Sequence, residues 1–234
     1  MTGGGRFSIK GRVCECEHKV QEAVVYYSVF MRYHRIPDET IRRLPIYLRG
    51  LLSLSAESRH QVSSQGLAEF LGTNPWQIRK DFSYFGGFGK RGVGYDVGKL
   101  IKQINRILKL DVGHKAALVG VGNLGAAILS YPGFKTYGFD ISAVFDINPK
   151  KIGKKINKIT IENISKLGSL KRRKIDLGII AVPGEAAQET VDALVKAGVK
   201  GILNFAPCYV TVPKRVKVIT IDIALDLARL PYYM

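Results

Sequence analysis

Cysteine is scarce in this sequence. Three occur in 234 residues, Cys14, Cys16 and Cys208, and so odd and sparse a set argues against a disulfide framework. Cys14, Cys16 and His18 make a C-x-C-x-H cluster. It offers three ligands at a spacing that zinc fingers do not use, so no metal is expected and chance thiols explain it. Long apolar runs are missing too. No stretch of about 18 uncharged apolar residues occurs, so neither a transmembrane helix nor a membrane partner is expected. The N-terminus lacks the apolar core and cleavage site of a signal peptide, which makes a cytoplasmic protein the expectation. No internal repeat is evident. Acid is in deficit, with 19 Asp and Glu against 36 Lys and Arg and a net charge of +17. That excess suits a polyanion such as DNA or RNA, an anionic membrane surface, or simply a lysine-rich solvated exterior.

What is present is an ordinary globular composition, 46% hydrophobic and 9% aromatic, in a chain long enough for one large domain or two modest ones. Residues 1–36 stand apart. They begin glycine-rich and basic with no apolar period, and are expected to be disordered or untranslated, with Met31 a candidate translation start. Residues 31–110 are somewhat denser in positive charge than residues 111–234, and residues 37–110 read as a small helical domain. Pro37-Asp38-Glu39-Thr40 supplies a cap and early negative charge, and Ile41, Leu44, Leu48, Leu51 and Leu52 make one stripe, with Pro45 in the first turns. Ser63-Ser64 caps a second helix that ends at Gly72. A third, Thr73 to Tyr84, opens with Thr73 or Asn74 as cap and Pro75 just inside.

Two short helices joined by Gly72-Thr73-Asn74 read as a helix-turn-helix, within Tyr47 to Gly86. The third helix would lie in a major groove. Gln77 could read adenine, Arg79 guanine or phosphate, and Lys80 phosphate; a solvated basic face is the plain alternative. Five glycines between Gly86 and Tyr95, with Lys90 and Arg91 at the centre, fit a hairpin wing that touches DNA backbone or minor groove. A flexible linker is the other reading. A helix from Val97 to Leu110 then leads to the second half.

That half alternates strand and helix, the pattern of a parallel sheet with crossovers. Strands are expected at Ala116–Gly120, Ile141–Asp146, Asp176–Val182, Gly201–Phe205 and Val216–Ile221, helices at Asn123–Tyr131 and Glu185–Ala197, and a last amphipathic helix from Asp222 to Tyr233. Gly120-Val121-Gly122-Asn123-Leu124-Gly125 follows the first strand and opens a helix, the context a dinucleotide-binding fingerprint requires. The first glycine allows the tight turn, the second lets backbone approach the pyrophosphate, and the third lets helix and strand pack closely. Helix-start N–H groups would meet the phosphate charge. Asp146, 21 residues after Gly125, suits the adenosine ribose hydroxyls and favours NAD(H) over NADP(H), although Lys150 and Lys151 could reach a phosphate. A turn acid is its simpler role. No His–Asp or Ser–Lys pairing stands ready for hydride chemistry, and no room remains for a substrate domain, which favours sensing over turnover. A small NAD-dependent dehydrogenase with a basic appendage is the rival. A purely structural, dinucleotide-stabilised dimer is a third reading.

The fold expected is α/β: a winged helix-turn-helix at residues 37–110, a Rossmann-type doubly wound sheet at 111–221, and a C-terminal helix at 222–234. The residues also resemble a family, the bacterial redox-sensing transcriptional repressors called Rex. The matching stretches are Ile41–Arg49, Gln77-Ile78-Arg79-Lys80-Asp81-Phe82-Ser83-Tyr84-Phe85-Gly86, Gly89-Lys90-Arg91-Gly92-Val93-Gly94-Tyr95, Gly120–Gly125 and Gly201-Ile202-Leu203-Asn204-Phe205-Ala206-Pro207. The resemblance implies a homodimer with a domain-swapped last helix. It implies palindromic operator DNA as partner, and NADH and NAD+ as sensed ligands, with release of DNA by NADH. It places cofactor contacts at Val182, Pro183, Asn204, Phe205, Ala206, Tyr95 and Asp222, and DNA contacts at Thr73, Ser83 and Tyr84 beside those above. It implies a switch in which Tyr95 pairs with Asp222 of the partner subunit and Arg49 completes the set. The departures are the N-terminal extension and Cys208, where an aliphatic residue is more usual.

Overall fold

The computed structural model describes residues 36–90 and 92–234. The expectations for residues 1–35, for Cys14, Cys16 and His18, and for the side chains of Lys90 and Arg91 lie outside the described residues. The chain divides between Leu108 and Lys109 into two compact units.

In the first unit, α1 (Asp38–Ala56) buries Leu44, Tyr47, Leu48, Leu51 and Leu54. Leu52 belongs outside that stripe, 37% exposed. Pro45 is exposed and sits well inside the helix rather than in its first turns, on the side where water can serve the Ile41 carbonyl that loses its helical donor. No side chain caps α1; Thr40 spends its hydroxyl elsewhere. Strand β1 (Gln61–Val62) leads to α2 (Ser64–Leu71), whose cap Ser63 accepts the Gly66 N–H at 2.9 Å. Gly72 closes α2 at φ 63°, a left-handed turn only glycine takes without strain. Asn74, not Thr73, caps α3 (Pro75–Ser83), accepting the Trp76 N–H at 2.8 Å. The glycine-rich segment is a hairpin, β2 (Gly89–Lys90) paired antiparallel with β3 (Gly94–Asp96), and β3 pairs on its other side with β1. Asp96 caps α4 (Val97–Ile107), which packs on α1 and stops three residues short of the expected Leu110.

The second unit is a seven-stranded sheet in the order β10-β9-β8-β4-β5-β7-β6. These are β4 (His114–Val119), β5 (Phe139–Asp146), β6 (Lys155–Ile156), β7 (Ile159–Asn163), β8 (Leu177–Ile180), β9 (Gly201–Asn204) and β10 (Lys217–Thr220). All neighbours are parallel except β6 and β7. Taken in chain order, the six parallel strands run 3-2-1-4-5-6, the doubly wound arrangement. Alternate residues of β4 serve two cores. Ala117 and Val119 join Phe145, Leu170, Val191 and Leu194, while Ala116 and Leu118 join Val121, Ile128, Val144 and Ile179. Such two-sided burial is why the parallel strands read as continuous apolar runs. The helices are α5 (Asn123–Ser130), α6 (Gly133–Thr136), α7 (Gly184–Lys196) and α8 (Ile223–Leu227). The last element corrects the expected helix from Asp222 to Tyr233. It is α8, followed by a separate 3-10 turn at Leu230–Tyr233 that Pro231 opens.

Candidate dinucleotide site and nucleic-acid interface

The glycine turn sits where β4 passes into α5. Gly120 has φ 93°, and a Cβ there would strike the Ala181 carbonyl and come within 2.9 Å of Val182. Gly125 is tighter still: its Cβ would land on the Gly120 carbonyl oxygen. Gly122 differs from both, because a Cβ on it meets nothing within 4 Å. So the first and third glycines are demanded by the protein itself. The second borders open space, where a phosphate group can approach the start of α5. Val121 is buried, whereas Asn123 and Leu124 are exposed at that helix start.

Asp146 ends β5, 6% exposed. Its Oδ2 accepts the Val121 N–H at 2.8 Å and its Oδ1 the Asn148 N–H at 2.8 Å. Lys151 donates to the Val121 carbonyl at 2.9 Å and stands 3.5 Å from Oδ2. Burial alone would raise this carboxyl. The N–H groups of Asn148 and Val121 and the Lys151 charge outweigh it and hold the carboxyl below the usual range. The turn-acid reading of Asp146 is met: it organises the glycine turn through both oxygens. Lys151 is committed to that turn rather than set aside for a phosphate.

The remaining candidates of this unit gather at the carboxyl ends of neighbouring strands. Val182 and Pro183 follow β8, and Pro183 leads into α7. Phe205 and Ala206 follow β9. Ala206 is buried, and its N–H and carbonyl both bond the Asn204 amide. Asn204 is fully buried, and its amide is spent: Nδ2 donates to the carbonyls of Ala206 and Cys208, each at 3.2 Å, and Oδ1 accepts the Ala206 N–H at 2.9 Å. It shapes the loop after β9 rather than offering a free group. Asp222 follows β10, and its Oδ1 caps α8 through the N–H groups of Ala224 at 3.0 Å and Leu225 at 3.2 Å. The strand order reverses between β4 and β8, the crevice where doubly wound sheets bind ligands.

In the first unit, α3 is anchored by Asp81, a residue that sequence reasoning did not single out. Its carboxylate is fully buried and accepts five hydrogen bonds. Arg43 donates from Nε at 2.6 Å and Nη2 at 2.8 Å, Tyr47 at 2.6 Å, Thr40 at 2.9 Å and Gln77 at 2.9 Å. Burial would raise this carboxyl too; the bonds from Arg43, Tyr47, Thr40 and Gln77 hold it low instead. Burial and the bond to Asp81 push the Tyr47 hydroxyl upward. Apolar periodicity cannot announce such an anchor. The only signal was an acid at a position where α3 has to face α1.

The same contacts revise the reading set. Gln77 turns its amide back to Asp81, and Arg79 donates to Ser64 Oγ at 2.9 Å. Lys80 is exposed, with its ammonium 4.9 Å from the centre of the Trp76 ring. Thr73 is exposed, Ser83 bonds the Lys80 carbonyl at 2.7 Å, and Tyr84 is half-buried. A cleft of about 450 Å³ lies between the wing and α2–α3, lined by Ser64, Arg79, Phe82, Phe88 and Tyr95. Tyr95 sets its ring edge-on to Phe82, centroids 5.3 Å apart, and burial raises its hydroxyl against the pull of Arg79. Arg49 is exposed on α1, and among the described residues no hydrogen bond joins it to Tyr95.

Two family models match. Residues 35–83 match "Putative DNA-binding protein N-terminus" and residues 112–208 match the CoA binding domain. The chain is 48% identical over 199 residues to the redox-sensing transcriptional repressor Rex of Chloroflexus aurantiacus, covering 85% of this chain and 94% of that one. The chain belongs to the Rex family of redox-sensing transcriptional repressors. The Streptomyces coelicolor Rex is 43% identical over 203 residues, 86% of this chain and 79% of that one. Among solved structures, the repressor RSP in complex with beta-NAD+ and operator DNA superposes with a TM-score of 0.81 at 38% identity, covering 85% of this chain and 92% of that one. RSP in complex with beta-NADH gives 0.77 at 36%, covering 85% and 93%. These relatives are named as repressors, so Rex membership makes this chain a DNA-binding regulator, and the dehydrogenase reading is not favoured. Among the described residues no helix is long and apolar enough to cross a membrane.

Proposed function

We propose that this chain works as a cytoplasmic homodimer that binds palindromic operator DNA through residues 37–110. It holds NAD(H) on residues 111–221 and lets go of the DNA when NADH binds. The observation that carries the reading is the glycine turn. Its outer glycines are forced by packing while the middle one opens to a ligand, in the same chain as a winged helix-turn-helix. The last residues support the dimer. Ile223, Leu225, Leu227 and Leu230 are 53–69% exposed and Tyr232 is 87% exposed, more apolar surface than a monomer leaves uncovered over so short a segment. A swapped C-terminal segment, residues 222–234, buries them on the partner.

Oxidised nicotinamide carries a positive charge and the reduced ring is neutral, and that is the difference to be read. In this reading Asp222 senses it, with Tyr95 and Arg49 completing the switch across the dimer. Because one Asp222 oxygen caps α8, a carboxylate drawn toward the ring moves the start of the swapped helix with it. A tenfold preference between the two redox forms needs only about 1.4 kcal/mol. The test is fluorescence anisotropy of a labelled palindromic duplex. NADH is expected to release it while NAD+ at the same concentration leaves it bound. Linkage requires DNA to weaken NADH binding by the same factor, so equal NADH affinity with and without the duplex overturns the mechanism.

A second expectation concerns Lys151. Lys151→Met removes both the bond to the glycine turn and the charge beside Asp146. NADH and ADP-ribose should lose affinity by one common factor, about five- to tenfold, the net worth of one hydrogen bond. The ratio of NAD+ to NADH affinity should stay unchanged. Calorimetric titration of all three ligands checks it, and a loss specific to NADH would move Lys151 to the nicotinamide end.

A further inference from the structure

The first turn of α3 holds a side chain that neither the motifs nor the anchor explain. Trp76 is the chain's one tryptophan. It is 57% exposed, while Ile78 and Phe82 on the other face of the same helix are 0% and 2% exposed. An indole is among the most costly side chains to leave in water. Its backbone is fixed by the bond to Asn74, at the helix end that a helix-turn-helix presents to base edges. The neighbours that could have read bases are turned away. Gln77 bonds Asp81 and Arg79 bonds Ser64. The outward groups of this turn are then Thr73, Trp76 and Lys80, with the Lys80 ammonium resting 4.9 Å from the ring centre.

The major groove presents one apolar feature, the C5-methyl of thymine. We propose that Trp76 is a specificity-determining residue that packs its exposed indole on a thymine methyl in each half-site, with Lys80 set by the ring toward a neighbouring phosphate. This rests on the DNA-binding reading above.

The test uses the full chain and a palindromic duplex recovered by that chain from a random-sequence pool. Each thymine is then replaced by uracil, which removes only the methyl. One symmetric pair of replacements should weaken binding by about fourfold per half-site, the value of one buried methyl group. Trp76→Ala should bind more weakly than the parent and be blind to that replacement, with the same salt dependence. Trp76→Leu should keep part of the sensitivity. Lys80→Ala should instead reduce the salt slope by about one while staying sensitive to uracil. Tryptophan emission, which reports this one site, should change on adding the duplex. Uracil effects equal in parent and Trp76→Ala, or full affinity in that variant, overturn the proposal while leaving DNA binding intact. So does emission that responds to dilution of the dimer and not to DNA, since the ring then packs on a second copy. Failure to recover any duplex overturns the DNA-binding reading and this proposal together.

Discussion

Asp81→Ala is expected to abolish DNA binding and to destabilise the first unit by about 3–5 kcal/mol, the usual cost of removing one partner of a buried ion pair. The carboxylate has no exposure, and the Arg43 side chain is 29% exposed. Removing Asp81 leaves Thr40 and Tyr47 buried with donors that have lost their acceptor, and frees Gln77. Each orphaned buried donor adds its own desolvation cost. Four of the five bonds come from α1 and fix how α3 lies on it, so the angle of the DNA-reading helix goes with them. The same group sets an acid limit. Its folded-state pKa lies below the unfolded value of about 3.9, so its stabilisation is complete above that value and is lost as the pH falls through the depressed one. Thermal melts between pH 7 and pH 3 should show the parent losing stability at the acid end and Asp81→Asn, already weakened at neutral pH, losing less. Affinity for ADP-ribose, which lacks the nicotinamide and engages only the glycine-turn end in the second unit, should remain within about twofold. A variant that melts and binds DNA like the parent overturns the account.

Much of this architecture is legible in local chemistry. Caps at Ser63 and Asn74, the left-handed Gly72, the wing glycines and the apolar runs of β4, β5, β8, β9 and β10 each act over a few residues, so a one-dimensional reading finds them. Non-local elements were less accessible. β1 is two residues long and exists because β3, more than thirty residues on, needs an edge partner. The β6–β7 hairpin was hidden by its lysines. Lys150, Lys151, Lys154, Lys155 and Lys158 interrupt the apolar pattern, and no strand is expected between Asp146 and Asp176, yet Asn157 and Lys158 take positive φ in a two-residue turn and Ile161 is buried beneath. The site shows the same division. The glycine pattern announces its geometry because glycine is required there whatever surrounds it. Gln77, Arg79 and Asn204 carry the right donors for a ligand, but residue type does not reveal that Asp81, Ser64 and the loop after β9 already use them.

Gly125→Ala is the sharpest test of the second unit, because its added methyl would fall on backbone that has nowhere to go. The Gly120 carbonyl is fixed by a left-handed residue wedged against Ala181 and by the Gly120 N–H bond to Phe145 at 2.9 Å. Helix α5 therefore has to slide away from β4, separating Ile128 from the core it shares with Leu118 and Val144. Overpacking of this kind costs about 1–3 kcal/mol even where side chains can yield, and the N–H groups at the start of α5 withdraw with the helix. NADH affinity should fall at least tenfold together with the melting temperature of this unit. DNA binding without ligand should persist, which makes the variant a repressor that NADH no longer releases. Gly122→Ala supplies the contrast. Its methyl meets no protein atom, so stability should be unchanged, yet the methyl occupies the space through which a pyrophosphate would reach the helix start, and affinity should fall just as far. Calorimetric melts and NADH titrations on the two variants separate the roles. Loss of affinity in both with loss of stability in Gly125→Ala alone means that the outer glycine builds the turn and the middle one receives the ligand. Unchanged NADH affinity in Gly122→Ala removes the pyrophosphate from this turn.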